Sequence, residues 1–173
     1  MVDLSAIAKW PNVPACYEWL SLDRRGDWRL RGERVTHRGL IDFINRQYAV
    51  DEAGRGVVHN GPQRIYVDLA GTPWIFRRDG DAFVAHTGRP AGDILSVYLD
   101  DGGSLLFDTE LGIGLLDDRD LAATLAECAA TDADWEALLA GEARAVTWRG
   151  HAIRPILAVD LPKRFNFEPR PRP

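Results

Sequence analysis

Residues 22–30 read Leu22-Asp23-Arg24-Arg25-Gly26-Asp27-Trp28-Arg29-Leu30, and residues 99–107 read Leu99-Asp100-Asp101-Gly102-Gly103-Ser104-Leu105-Leu106-Phe107. The shared frame is Leu-Asp-x-x-Gly-x-Φ-x-Φ, with Φ a large apolar residue. Asp and Gly make a turn, with Gly suited to positive φ, and alternating apolar residues flank it. That is the pattern of a β-hairpin. A phrase repeated at this distance points to a chain of two similar modules. Each copy leads to a helical pattern. Thr36 can cap a helix that places Leu40, Phe43, Ile44 and Tyr48 at spacings of three and four. Asp117 or Asp118 can cap a second, with Leu121, Leu125, Cys128 and Ala129 on its inner face. The hairpin phrases are offset by 77 positions and the helices by 81, so the second module gains four residues, placed within Glu110-Leu111-Gly112-Ile113-Gly114.

The rest of the chain reads outward from this frame. Leu4, Ile7 and Ala8 fit a short N-terminal helix capped by Asp3 or Ser5 and ended by Pro11 and Pro14. Tyr17, Trp19 and Leu22 alternate as a strand. Asp51-Glu52-Ala53-Gly54 is another Asp-x-x-Gly turn, and Asn60-Gly61-Pro62 is a strong turn signal between Val57-Val58-His59 and the alternating run Ile65, Val67, Leu69. Trp74-Ile75-Phe76 and Phe83-Val84 flank a turn at Arg78–Asp81. Thr131 and Asp134 form an acidic variant of the capping box, opening a helix that stops at Gly141. Ala145–Ile153 reads as a last hairpin and Leu157-Ala158-Val159 as a final short strand. The Pro/Arg-rich tail is extended or disordered unless Phe165 and Phe167 dock. The expected division is an N-terminal segment 1–16, a first lobe 17–88, a second lobe 89–160 and a tail 161–173.

Composition narrows the function classes. The 173 residues are 46% hydrophobic and 27% charged, enough for a substantial core in a soluble protein. A net charge of −5 argues against nucleic acid as the main partner, because duplex binding leans on many Lys and Arg contacts to phosphate. No signal peptide and no apolar run long enough to span a membrane is expected. Cys16 and Cys128 lack metal-binding or redox spacing, which fits reduced thiols in a cytoplasmic protein.

Catalytic signatures are scarce. Gly112-Ile113-Gly114 lacks the third glycine of a dinucleotide loop, and Asp117 and Asp118 after it would repel phosphate. The simpler reading is a flexible link before a self-capped helix. Asp117, Asp118 and Asp120 suit a helix start and lack calcium-loop spacing. His37, His59, His86 and His151 have no chelating spacing, and no nucleophile elbow occurs. No catalytic residue, metal or cofactor is therefore expected. The densest mixture of polar and aromatic residues is His59, Asn60, Gln63 and Arg64 with Trp74, and with His86 they are the candidate ligand-binding residues.

The module order also carries a resemblance. Leu-Asp-x-x-Gly-x-Trp, a helix, Asp-x-x-Gly and the strand Ile65-Tyr66-Val67-Asp68 ending at Thr72-Pro73-Trp74 resemble bacterial domain-of-unknown-function proteins built from two repeated α+β motifs. The likeness spans residues 17–155. It implies a two-lobed α+β fold and a role in signalling or regulation, and it carries over no catalytic residue. The sequence reading is thus an α+β protein of two related lobes, each of antiparallel β-hairpins packed with helices. The leading function is a non-catalytic module binding a small molecule or protein, with the groove between lobes as the default site. The alternatives are a hydrolase using His59 or His86 with an Asp, and an interaction subunit acting through a homodimer face.

Overall fold

The Asp-x-x-Gly phrase folds into one turn three times. Asp23 Oδ1 accepts from the amides of Arg25 and Asp27 at 2.9 and 3.0 Å. Asp51 Oδ1 accepts from Ala53 and Arg55 at 3.0 and 2.9 Å. Asp100 Oδ1 accepts from Gly102 and Ser104 at 3.0 and 2.7 Å. Gly26, Gly54 and Gly103 hold φ of 81°, 78° and 82°, a region closed to most side chains. The turns therefore need Asp at their first position and Gly at their fourth.

The computed structural model describes residues 8–173; the expected N-terminal helix lies mostly outside them. The first sheet holds β1 (Ala15–Leu22), β2 (Trp28–Leu30), β3 (Glu33–Arg34), β4 (Tyr48–Val50), β5 (Gly56–Asn60) and β6 (Gln63–Leu69), in the order β3-β2-β1-β6-β5-β4. Helix α1 (Arg38–Gln47) crosses between β3 and β4 and buries Leu40 and Ile44. The second sheet holds β7 (Trp74–Asp79), β8 (Ala82–Ala85), β9 (Ile94–Asp100), β10 (Leu105–Thr109), β11 (Ile113–Leu116), β12 (Thr147–Trp148) and β13 (His151–Ile156), in the order β12-β13-β9-β10-β11-β7-β8. Helices α2 (Leu121–Leu125) and α3 (Asp132–Leu139) lie between β11 and β12, and α4 (Leu161–Arg164) follows β13.

The repeat is visible in the topology. A meander, β1–β2–β3 or β9–β10–β11, is followed by helix and then by a hairpin, β5–β6 or β12–β13. The last strand of each unit returns parallel to the first: β6 beside β1, β13 beside β9. The fold is α+β with two related lobes, but hairpins alone do not describe it. A helical crossover returns the chain in its original direction, so both sheets are mixed.

The four extra residues of the second unit lengthen β10 and β11. Where β3 is a two-residue exposed edge, β11 is four buried residues. It pairs parallel with β7, Gly114 opposite Trp74 and Leu116 opposite Phe76. The Gly112–Gly114 stretch is therefore a strand entry, not a flexible link. It also explains why the chain changes sheets at residues 70–73, ahead of the Gly/Pro loop at 88–92: the β7–β8 hairpin belongs to the second sheet. Gly114 is required by close approach, since a Cβ there would overlap the Phe76 ring.

Other local expectations change for identifiable reasons. His37, not Thr36, caps α1, its Nδ1 accepting from the Leu40 amide at 3.2 Å. Glu18 sits at φ 61° in a bulge of β1, so Cys16, Leu20 and Leu22 point inward while Tyr17 and Trp19 do not alternate with Leu22 as read. Residues 158–160 form a 3₁₀ turn rather than a strand. The Thr131–Asp134 capping box forms with both reciprocal bonds. The tail docks: Phe167 is buried, Phe165 meets Tyr98 edge-on, and Leu69 N–H donates to the Pro169 carbonyl at 2.8 Å. One continuous apolar core joins residues of both sheets.

The Gly114 contact yields a prediction. Gly114→Ala forces the Phe76 ring out of place in a close-packed interior, and its cost is about 1–3 kcal/mol. Chemical denaturation should show it, whereas Gly32→Ala, with open space around it, loses only what its positive φ costs.

Candidate functional site

The six residues singled out from sequence fall in two places. His59, Asn60, Gln63 and Arg64 form the free end of the β5–β6 hairpin, His59 opposite Arg64 and Asn60 opposite Gln63. Gln63 has structural work there: its Nε2 donates to the carbonyls of Pro11 and Val13, both at 2.7 Å, pinning the N-terminal segment. Asn60 Nδ2 donates to Gln63 Oε1. His59 and Arg64 are exposed and border an open depression of about 400 Å³ with Asp51 and Arg55.

Trp74 and His86 lie instead between the sheets. They form a cluster with Trp28 and Tyr48, ring centroids 5.2–5.9 Å apart for five of the pairs. Trp28 and Tyr48 come from the first sheet, Trp74 from the second, and His86 follows β8. Tyr48 Oη donates to the Pro73 carbonyl at 2.7 Å, and burial pushes its hydroxyl pKa up. His86 Nδ1 accepts from the Ile75 amide at 3.2 Å. Its Nε2 is buried without a hydrogen-bond partner among the described residues. Burial holds the imidazole pKa at about 3. Such a ring stays neutral at pH 7 and is a poor general base there.

The remaining charged clusters brace the second sheet. Asp117 is fully buried; burial works against its charge, but hydrogen bonds from the Arg119 side chain and amide hold its carboxyl below the usual range. Arg77 does the same for Asp120. Glu127 receives Arg149, Arg78 and the Trp148 indole, which hold it at about 2. Each carboxylate of the Asp117–Asp120 stretch has an arginine partner, Asp118 taking Arg25 from the first turn at 2.8 Å. Among the described residues no group of three His, Cys, Asp or Glu is placed to hold a metal.

A cleft of about 240 Å³ lies where the two sheets and the tail converge. Leu69 at the end of β6, Leu106 and Leu115 of the second sheet, Leu161 of α4, and Phe167 and Pro169 of the tail supply apolar wall. Its polar lining is Arg24, Thr72, Asp100 and Arg170. Thr72 is occupied, its hydroxyl donating to the Trp74 carbonyl and accepting from the Leu115 amide. Arg24 donates to Ser104 Oγ at 2.7 Å. Among the described residues neither Arg24 nor Arg170 has a carboxylate partner. Sequence reading named none of these, because Arg24 and Arg170 meet only through the tail's docking.

A comparison with protein families matches residues 1–172 to the family described as "Protein of unknown function (DUF2946)". The chain belongs to that family, DUF2944. No curated protein matches it. Among solved structures, it is similar to a DUF1285 family protein from Silicibacter pomeroyi DSS-3, with TM-score 0.51, 12% identity, and coverage of 72% of this chain and 76% of that one. It also matches a DUF1285 family protein from Shewanella baltica OS155, with TM-score 0.46, 14% identity, and coverage of 62% and 91%. The first of these shows a shared fold between a DUF2944 chain and a DUF1285 structure. Among the described residues no helix is long and apolar enough to cross a membrane.

His86 sets a pH dependence for this DUF2944 fold. Its folded pKa of about 3 lies below the ordinary 6.5, so the unfolded chain protonates first. Stability present above pH 6.5 is therefore lost as pH falls toward 3, on the order of 5 kcal/mol in full. His86→Phe leaves the Ile75 amide unpaired and costs about 1–3 kcal/mol at pH 7. Urea melts across pH 7 to 4 should show the gap between wild type and variant narrowing; a constant gap would contradict the assignment.

Proposed function

We propose that the protein is a non-catalytic binding module that takes a small organic acid in the cleft between its sheets, in a regulatory or signalling role. The observation that carries this is the pair of arginines, Arg24 and Arg170, lining an apolar cleft without carboxylate partners. Arg25, Arg77 and Arg119 pair with carboxylates; other arginines besides Arg24 and Arg170 have no such partner among the described residues, and what sets these two apart is that both line the one cleft. Guanidinium groups present planar donors suited to a carboxylate or phosphate. Apolar walls and a few convergent polar groups are the usual make-up of ligand sites, and a volume of about 240 Å³ suits a small metabolite.

The hydrolase reading gains no support from the histidines. His86 is neutral with Nδ1 occupied, and among the described residues neither it nor His59 hydrogen-bonds a carboxylate.

A melting screen with small carboxylates and phosphate monoesters tests the proposal. At a hundred times its Kd, a ligand stabilises by about 2.7 kcal/mol, roughly 5–10 °C for a chain of this size. Arg24→Ala with Arg170→Ala, both on exposed residues, should leave the ligand-free melting point within about 2 °C and weaken binding about 10–100-fold. No shift with any compound, or a shift indifferent to both arginines, would sink the proposal.

A further inference from the structure

The three Asp-x-x-Gly turns differ at one atom. In the first, Asp23 Oδ2 accepts from Arg29 Nε at 3.1 Å. In the second, Asp51 Oδ2 accepts from Arg55 Nε at 2.8 Å. In the third, Asp100 Oδ1 is occupied in the same way, but among the described residues Oδ2 accepts no hydrogen bond. The sequence accounts for the difference. Arginine stands six residues after Asp23 and four after Asp51; the same positions after Asp100 are Leu106 and Ser104.

Asp100 is nonetheless the most enclosed of the three. The residue is buried, whereas Asp23 and Asp51 are half-buried. It also lines the cleft. Oδ2 is not among the buried side-chain atoms left without a partner, so it stays accessible to a donor from outside the chain. Arg24, which lines the same cleft, is turned to Ser104 Oγ instead. A divalent cation does not suit the site, because among the described residues Asp100 is the one carboxylate of the lining and two arginines share it.

We infer that the ligand of this cleft is a small zwitterion of the α-amino acid class with an apolar side chain. Its ammonium donates to Asp100 Oδ2, as Arg29 and Arg55 do in the sister turns. Its carboxylate meets Arg24 and Arg170, and its side chain lies against Leu69, Leu115 and Phe167. This rests on the cleft being the binding site, and adds the cationic half of the ligand.

Calorimetric titration with L-leucine and with 4-methylpentanoate, the same skeleton without the ammonium, separates the two claims. Leucine should bind the wild type about 10–100-fold more tightly than 4-methylpentanoate, the range set by one hydrogen bond to a charged group. Asp100→Asn keeps an acceptor for the turn amides and should abolish that preference. Ser104→Arg recreates the spacing of Asp51 and Arg55; it should fold and no longer bind leucine. Equal affinities for the two compounds, or a leucine affinity unchanged in Asp100→Asn, would overturn the zwitterion while leaving an organic-acid site on the arginines intact. If other organic acids bind and leucine does not, the zwitterion is also overturned. If no acid binds at all, the underlying proposal fails and takes this one with it.

Discussion

The two sheets are held to each other by four rings, Trp28, Tyr48, Trp74 and His86, packed edge-on or tilted, with Trp28, Tyr48 and Trp74 buried. Aromatic pairs in such arrangements contribute roughly 0.5–1.5 kcal/mol beyond the area they bury, and here each ring serves several neighbours. The cluster does more than add stability. Tyr48 reaches across to the Pro73 carbonyl, and Thr72 ties the Trp74 carbonyl to the Leu115 amide. The short connection at residues 70–73 is thereby fixed on both sides. Leu115 and Arg24 lie against that connection at Gly71 and, with Leu69, line the cleft.

How much of this is legible in the sequence depends on the range of the interaction. Turns are local, so Asp23, Asp51, Asp100 and their glycines announce themselves, as does the capping box of Thr131 and Asp134. The α+β class and the repeat follow from the same signals. The parallel pairings do not, because they depend on how a helical crossover returns, and nothing in Cys16–Leu22 encodes Ile65–Leu69 as its neighbour. The bulge at Glu18 is equally silent, since no glycine marks its positive φ. His86 is a clear case of chemistry hidden by context. An alternating strand end places a histidine near Trp74, but only the packing of both sheets makes it neutral and unavailable.

The candidate site was legible in outline alone. A groove between lobes is a reasonable expectation for two packed modules. Its residues could not be listed, because Arg170 reaches it through a Pro/Arg-rich tail whose composition suggests disorder. Two phenylalanines overrule that composition: Phe167 buries itself, and the backbone from Glu168 to Pro169 takes hydrogen bonds with Gly54 and Leu69. Duplication supplies the finer signal. Where both copies keep a residue, it maintains a turn. Where one copy drops the arginine that satisfied its aspartate, the released carboxylate can serve something outside the chain.

The pairing of β7 with β11 has a consequence for how the chain reaches this state. The first sheet can complete itself from contiguous sequence, all six strands lying between residues 15 and 69. The β7–β8 hairpin cannot, for its parallel partner lies beyond the whole β9–β10 hairpin. Non-local pairings of this kind, which also include β1 with β6 and β9 with β13, slow folding, commonly to milliseconds or seconds. Until β11 arrives, Trp74, Ile75 and Phe76 present an apolar strand with one open edge, the kind of surface on which nascent chains aggregate. The same three residues that help seal the interior of the finished protein are thus a hazardous stretch while it is being made.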